Sequence, residues 1–213
     1  MGVDPAQNLA KIANKQGITT LPSFWNQESA LKILTEHGKA SVINAANVFA
    51  HVDDLDEFLQ AVHILLKEDG IFIIEEPYLF NFINRTEFDT TYHEHLSYFL
   101  VKPLIKLFDK HSLKVFDIEE ISIHSGSIRV YVRKSTNKTI EVNEASINQL
   151  LDLEKSVGLH ELATYLTFPK DVEKIKNDLL GLLIKLRSEN KKVAALCCFS
   201  QGNCAIKLLW YRS

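Results

Sequence analysis

Short apolar runs alternate with longer stretches in which apolar residues recur three and four positions apart. Residues 18–21, 40–45, 71–75 and 113–118 have strand length and are bounded by turn-forming residues, which suits buried strands of a sheet covered on its faces. Between them, residues 6–16 place Leu9, Ile12 and Ala13 on one side of a helix, residues 27–37 continue the pattern, and residues 55–67 carry Phe58, Leu59, Val62 and Leu66 at helical spacing. Gly17 and the pair Asp69-Gly70 stand just past periodic runs, where helices stop. Asp53-Asp54-Leu55-Asp56 supplies a helix start with capping and first-turn acids. Strand alternating with helix predicts an α/β domain of the doubly wound kind.

The second half is less regular. Residues 101–111 read as a helix with Pro103 in its first turn, where proline is tolerated. Residues 121–133 alternate as a half-exposed strand, with a turn or bulge at Ser125-Gly126. Two charged helices follow, 143–160 and 171–190, separated by Phe168-Pro169. The stripe Leu179, Leu182, Leu183 and Leu186 reads as a packing face. Residues 193–199, Gln201-Gly202-Asn203 and 205–211 then form a strand, a tight turn and a helix start, the opening of a second α/β unit.

One part of the α/β pattern is missing. Such folds bind a nucleotide's phosphates on a glycine-rich turn after the first strand, and no G-x-G-x-x-G occurs here. Gly2-Val3-Asp4-Pro5 resembles instead the end of a second strand, where an acid holds ribose hydroxyls, although Asp4-Pro5 alone also suits a plain turn.

The densest chemistry lies in residues 90–99. Tyr92, His93, Glu94, His95, Ser97 and Tyr98 fall within seven positions. Two imidazoles around a carboxylate, with phenols beside them, suit a site that holds and releases protons near neutral pH. Composition narrows the setting. The net charge of -3 gives no electrostatic footprint for nucleic acid, and basic residues form no run suited to an anionic membrane. No apolar stretch approaches the roughly 20 residues that span a bilayer, and no signal-peptide pattern opens the chain, so a cytoplasmic location is expected. Cys197, Cys198 and Cys204 match no common zinc spacing and read as reduced, buried thiols.

With these residues in view, the chain resembles the S-adenosylmethionine-dependent sugar C-methyltransferases. The likeness rests on Asn47-Val48-Phe49-Ala50-His51-Val52 with Asp54, on Tyr92-His93-Glu94-His95-Leu96-Ser97-Tyr98-Phe99, and on Leu113-Lys114-Val115-Phe116-Asp117. It continues through His124-Ser125-Gly126-Ser127-Ile128-Arg129-Val130-Tyr131-Val132 and Ser200-Gln201-Gly202-Asn203. The resemblance implies a partial Rossmann-like class I methyltransferase domain over residues 1–135, lacking its first strand. A helical connector and the start of a C-terminal α/β substrate domain would occupy residues 136–213. It implies S-adenosylmethionine as cofactor, near Asp4, Phe24, Trp25, Ala46 and Asn47. It places His51, Tyr92, Glu94 and His95 at the reacting centre, with His95 as general base, and His124, Ser127, Arg129 and Asn203 toward a nucleotide-linked sugar. Two departures bear on that substrate. Ser125 stands where the family has a glycine, and Gln201 where it has a lysine.

The implied chemistry accounts for those residue types. A carbon beside a ketone becomes nucleophilic only on losing a proton, so the site needs a base near that carbon and donors for the enolate oxygen. An imidazole with an ordinary pKa of about 6.5 suits the base. Glu94 or a phenol can fix its tautomer, and His51 and Tyr92 can donate to the oxyanion. Two other classes fit the residues. One is a metal-dependent hydrolase using His93, His95 and Glu94 or His51. The other is a non-catalytic sugar-nucleotide module that dimerises through an open sheet edge.

Overall fold

Two very short parallel strands, β1 (Gly2–Val3) and β2 (Thr20–Leu21), open the fold and are joined by helix α1 (Gln7–Lys15). The computed structural model describes residues 1–91, 93–123 and 126–194. Helix α2 (Gln27–His37) leads to β3 (Ala40–Ala46), and α3 (Leu55–Leu65) leads to β4 (Leu66–Pro77). Helix α4 (Leu79–Asn84) and α5 (Val101–Lys110) then flank the histidine motif, followed by β5 (Leu113–Ile121), β6 (Ser127–Lys134), α6 (Glu144–Ser156) and α7 (Leu162–Ser188). The larger sheet has the order β3-β4-β6-β5, with β3 and β4 parallel and β6 antiparallel to both of its neighbours. The expected α/β architecture is present, in two separate sheets among the described residues.

The core lies on one face of the larger sheet. Phe72, Ile74, Val115, Ile118, Ile128, Val130 and Val132 are buried there against Phe58, Leu59 and Val62 of α3 and Val101, Leu104 and Phe108 of α5. Ile147 and Leu150 of α6 complete the cover. Phe49 is fully buried at the centre, with the rings of Phe58 and Phe99 each 5.3 Å away. Edge-to-face and tilted aromatic pairs of this kind add to the gain from area burial. The opposite face carries Val42, Ile71, Ile73 and Tyr131 in cross-strand register, and Val42 is 55% exposed.

Three predicted boundaries differ from the observed ones. The helix expected over 55–67 ends at Leu65, and β4 starts at Leu66 and runs through Asp69-Gly70. Gly70 does not stop a helix. A Cβ there would lie 3.0 Å from the carbonyl oxygens of Ala40 and Ser41, where the β3–β4 register shifts, so close strand approach requires it. The strand expected over 121–133 is two strands that meet at a turn, since β5 extends to Ile121 and β6 starts at Ser127. Gly126 turns the chain with φ +122, a conformation open to glycine and strained for other residues. Finally, Phe168-Pro169 does not separate two helices but lies inside α7. The Phe168 ring stacks on Phe82 at 5.2 Å and the Tyr165 hydroxyl donates to Leu159 O at 2.7 Å, which ties the turn before the proline to the body. Of the leucine stripe on α7, Leu179, Leu183 and Leu186 are half-buried and Leu182 is 51% exposed. No described helix is long and apolar enough to cross a membrane. The expected strand 193–199 lies largely outside the described residues, and the turn at 201–203, the helix start at 205–211 and all three cysteines lie wholly outside them.

Candidate active site

The site is built where β3 and β4 end. After Ala46 the chain passes through Asn47 with φ 52, in the left-handed region that asparagine tolerates better than most residues. That turn feeds a single 3₁₀ turn, Phe49–His51. Glu76, at the end of β4 and fully buried, holds this turn from beneath: its Oε1 accepts from the N–H groups of Val48 at 2.9 Å and Phe49 at 2.6 Å. Burial pushes the Glu76 carboxyl up to about 7, against the lowering effect of the Phe49, Val48 and Ala50 N–H groups.

The histidine motif is fastened to the same turn. The carbonyl of Ala50 accepts from Leu96 N at 2.9 Å and Ser97 N at 3.3 Å. This pair of bonds brings His51 and His95, far apart in sequence, to a ring separation of 4.9 Å with an edge-to-face angle of 71°. The Tyr98 ring lies 5.7 Å from His95 and packs on Phe82 at 5.1 Å, and its hydroxyl donates to Thr90 O at 3.3 Å. His95 is half-buried, whereas His93 and Glu94 are exposed in a turn. Among the described residues, the rings of His51 and Tyr98 lie beside His95. Tyr92 lies outside the described residues.

The other expected site residues divide into three groups. Asp4 follows β1, is half-buried, and its Oδ1 accepts from Ala6 N at 2.7 Å in an Asx turn. Ala46, Asn47 and Phe24 are exposed, Phe24 at 72%. Trp25 serves the core: its indole N–H donates to Phe58 O at 3.2 Å and its ring packs on Phe58 at 5.9 Å. Two residues expected to face the sugar are engaged elsewhere. Ser127 is fully buried and donates its hydroxyl to Ile123 O at 3.0 Å. Arg129 is held by Glu75 through Nε at 3.1 Å and Nη2 at 2.8 Å, and by Glu119 at 2.8 Å. Those bonds, that to Glu75 foremost, raise the Arg129 pKa further, so its charge is permanent and already paired within the sheet. His124 and Asn203 lie outside the described residues.

Sequence reasoning missed two carboxylates. Glu76 is one. Glu154 of α6 is the other: fully buried, it accepts from Val101 N at 2.5 Å, Tyr78 Oη at 3.1 Å and Lys102 N at 3.4 Å, with His160 Nε2 at 3.0 Å. It caps α5 from across the core, and no local signal reveals a cap delivered from 53 positions away. No group of three His, Cys, Asp or Glu among the described residues could hold a metal ion. A cavity of about 590 Å³ between α4 and α7 is lined by Ile83, Asn84, Asp171 and Lys174, among others, and by no residue of the histidine cluster.

Residues 1–116 match the family described as a methyltransferase domain. The chain belongs to the methyltransferase family. Residues 122–210 match a second family, described as a C-methyltransferase C-terminal domain. The junction between the two matches falls at the end of β5, so the second match includes β6, a strand of the same sheet. The C-methyltransferase NovU of Streptomyces niveus is 35% identical over 203 residues, which are 95% of this chain and 48% of NovU. The chain thus spans about half the length of that relative. Among solved structures, a methyltransferase of Thermotoga maritima, titled a possible histamine N-methyltransferase, is 16% identical with a TM-score of 0.46 over 63% of this chain and 72% of its own. An S-adenosylmethionine-dependent methyltransferase of Anabaena variabilis is 16% identical with a TM-score of 0.47 over 62% and 67%.

Proposed function

We propose that this chain carries the acid–base half of a C-methyltransferase, one that moves a methyl group from S-adenosylmethionine to a carbon beside the ketone of a nucleotide-linked 4-keto-deoxysugar. The observation that carries this reading is the His51–His95 pair, 4.9 Å apart and clamped through the Ala50 carbonyl. In it, His95 takes the proton from the carbon, the C–H electron pair becomes the new C=C bond, and the carbonyl π pair moves onto the ketone oxygen to give the enolate. His51, with Tyr92, donates to that oxygen, and the Tyr98 ring fixes the His95 plane. Glu94, exposed next to His95 in sequence, or a neighbouring phenol fixes the His95 tautomer. The similarity to NovU supports transfer to carbon rather than to nitrogen or oxygen.

The strand ends supply the residues proposed for the cofactor. Asp4 would offer a carboxylate oxygen to a ribose hydroxyl, and the exposed, left-handed Asn47 follows Ala46 at the carboxyl end of a parallel strand, where such folds take their ligands. Exposed Phe24 offers an apolar ring to adenine. When bound, the sulfonium supplies an electrophilic methyl group, and the remaining demand is alignment.

The test separates proton removal from transfer. A nucleotide-linked 4-keto-6-deoxysugar in D₂O is expected to gain deuterium beside the ketone when the protein is added, and His95→Ala is expected to lower that exchange by about 10²-fold or more. Exchange at an unchanged rate in the variant would remove His95 as base.

A further inference from the structure

We propose that Glu76 is a positioning residue for methyl transfer: its buried carboxyl, acting through the 48–51 turn, sets how His51 stands against His95. The proposal rests on the reading of that pair as the reacting centre, and it adds a residue that the reading does not use. Glu76 is fully buried at the end of β4, so its effect on the chemistry is indirect. The first N–H groups of a helical turn have no partner within the turn. Here the N–H groups of Val48 and Phe49 converge on one oxygen, Glu76 Oε1, at 2.9 and 2.6 Å.

A short path of hydrogen bonds and peptide units leads from that oxygen to both imidazoles. Glu76 fixes the peptide planes at 48 and 49, and the next carbonyl along, that of Ala50, accepts from Leu96 N and Ser97 N. His51 follows Ala50 directly, and His95 precedes Leu96. A change in the tilt of the turn therefore moves one ring against the other across their 4.9 Å separation. The Phe49 ring, packed on Phe58 and Phe99, fixes where the turn sits. The carboxyl fixes its tilt, and the two duties are separable by mutation.

The second oxygen bears on the charge state in which the turn is held. Among the described residues, Glu76 Oε2 is buried with no hydrogen-bond partner. A carboxylate would leave part of its charge unmet there, whereas a neutral carboxyl keeps its proton at Oε2 and still offers Oε1 to both N–H groups. Burial pushes this carboxyl up to about 7, against the N–H groups of Phe49, Val48 and Ala50, and the Glu75 carboxylate adds to the rise. Glu75 lies on the same strand and is paired with Arg129 of β6. The cross-strand partner of Glu76 on β6 is Ile128, and the residues that α3 and α5 bury in this core, Phe58, Leu59, Leu104 and Phe108 among them, are apolar. The turn and its flanks carry His51 with the exposed Asp53 and Asp54, and the motif clamped to it carries His95. Because the folded pKa lies above the ordinary 4.5, the stabilised turn is complete below about pH 4.5 and is lost as pH rises through about 7. An imidazole base works in the opposite sense, gaining as pH rises through its ordinary value of about 6.5. Together they give a bell-shaped profile whose alkaline limb belongs to Glu76.

Two measurements test this. The first is deuterium exchange into a nucleotide-linked 4-keto-6-deoxysugar, followed from pH 5.5 to pH 9 in the parent, Glu76→Gln and Glu76→Leu. Glutamine keeps an acceptor for the turn and carries no charge at any pH, so Glu76→Gln is expected to move the alkaline limb up by about one pH unit or more. Glu76→Leu removes the acceptor, and its rate at saturating sugar is expected to fall about tenfold or more, with about twofold or less change in the half-saturating concentration. The second is a ¹⁵N NMR titration of the imidazoles without substrate. In the parent, the His51 and His95 signals are expected to record a step near pH 7 that is missing in Glu76→Gln. Imidazole signals that follow the same course in parent and Glu76→Gln, or an alkaline limb that Glu76→Gln leaves in place, would overturn the role of Glu76. Absence of exchange in the parent would overturn the reacting-centre reading alone, because the imidazole titration needs no substrate.

Discussion

Glu76 and Glu154 illustrate how much a single buried carboxylate can decide. Glu76 holds the turn that carries His51, and its carboxyl is pushed up to about 7 by burial. A folded pKa above the unfolded value means the folded state binds the proton more tightly. The associated stability is complete below about pH 4.5 and is lost as pH rises through about 7. Urea unfolding followed from pH 5 to pH 8 is therefore expected to show a decline of roughly 2–3 kcal/mol, flattened in Glu76→Gln. A variant with the same slope as the parent would show that other groups set the decline. Glu154 acts differently, because it satisfies three donors at once. Glu154→Ala leaves the Tyr78 hydroxyl and the Val101 N–H buried without a partner, and a loss of about 3–5 kcal/mol in denaturant midpoint analysis is expected.

At the scale of elements, the short 3₁₀ turn Phe49–His51 joins core and site. Its first residue is fully buried among Phe58, Phe99 and Phe108, and its last faces His95. Phe49→Ala should cost about 3–5 kcal/mol and broaden the NMR signals of both imidazoles, since the same backbone holds core and site. Sharp, unshifted imidazole signals in a destabilised variant would separate the two roles. The turn between β5 and β6 is equally constrained. At Gly126 a Cβ would lie 2.3 Å from Asn81 Nδ2, in a conformation with φ +122. Asn81 is itself buried and donates to Glu120 Oε1 at 2.8 Å. Gly126→Ala is expected to lower the thermal midpoint by several degrees, a loss of about 1–3 kcal/mol or more. The glycine was legible in the sequence as a turn. The asparagine beneath it was not, because the two are 45 positions apart and only the fold joins them.

For the whole molecule, the two sheets set what the cofactor end can do. Asp4 follows β1 and Asn47 follows β3, and a groove lies between those strands. The residues proposed for S-adenosylmethionine therefore stand at the strand ends of two sheets. In titration calorimetry, Asp4→Ala is expected to weaken S-adenosylmethionine binding by about tenfold or more, the loss of a charge-assisted hydrogen bond. Equal binding by the variant and the parent would remove Asp4 from the cofactor residues.

The α/β alternation, most of the helices and the histidine motif were readable from residues 1–213, because apolar period and capping chemistry are local properties. His95 stood out as part of a local cluster of titratable groups, whereas His51 was singled out through the family resemblance. Tertiary structure alone decided the rest. It set the 4.9 Å separation of His51 and His95 through one carbonyl, and it turned Arg129 into an internal partner of Glu75 and Glu119. It also made Gly70 a point of close strand approach and carried α7 through Pro169. These outcomes depend on which groups from distant positions meet, and a local pattern carries no record of that. The edge of β3 is the clearest case. Residues 40–45 read as a buried strand, yet one side of β3 faces a groove whose other wall is Met1, Gly2 and Val3.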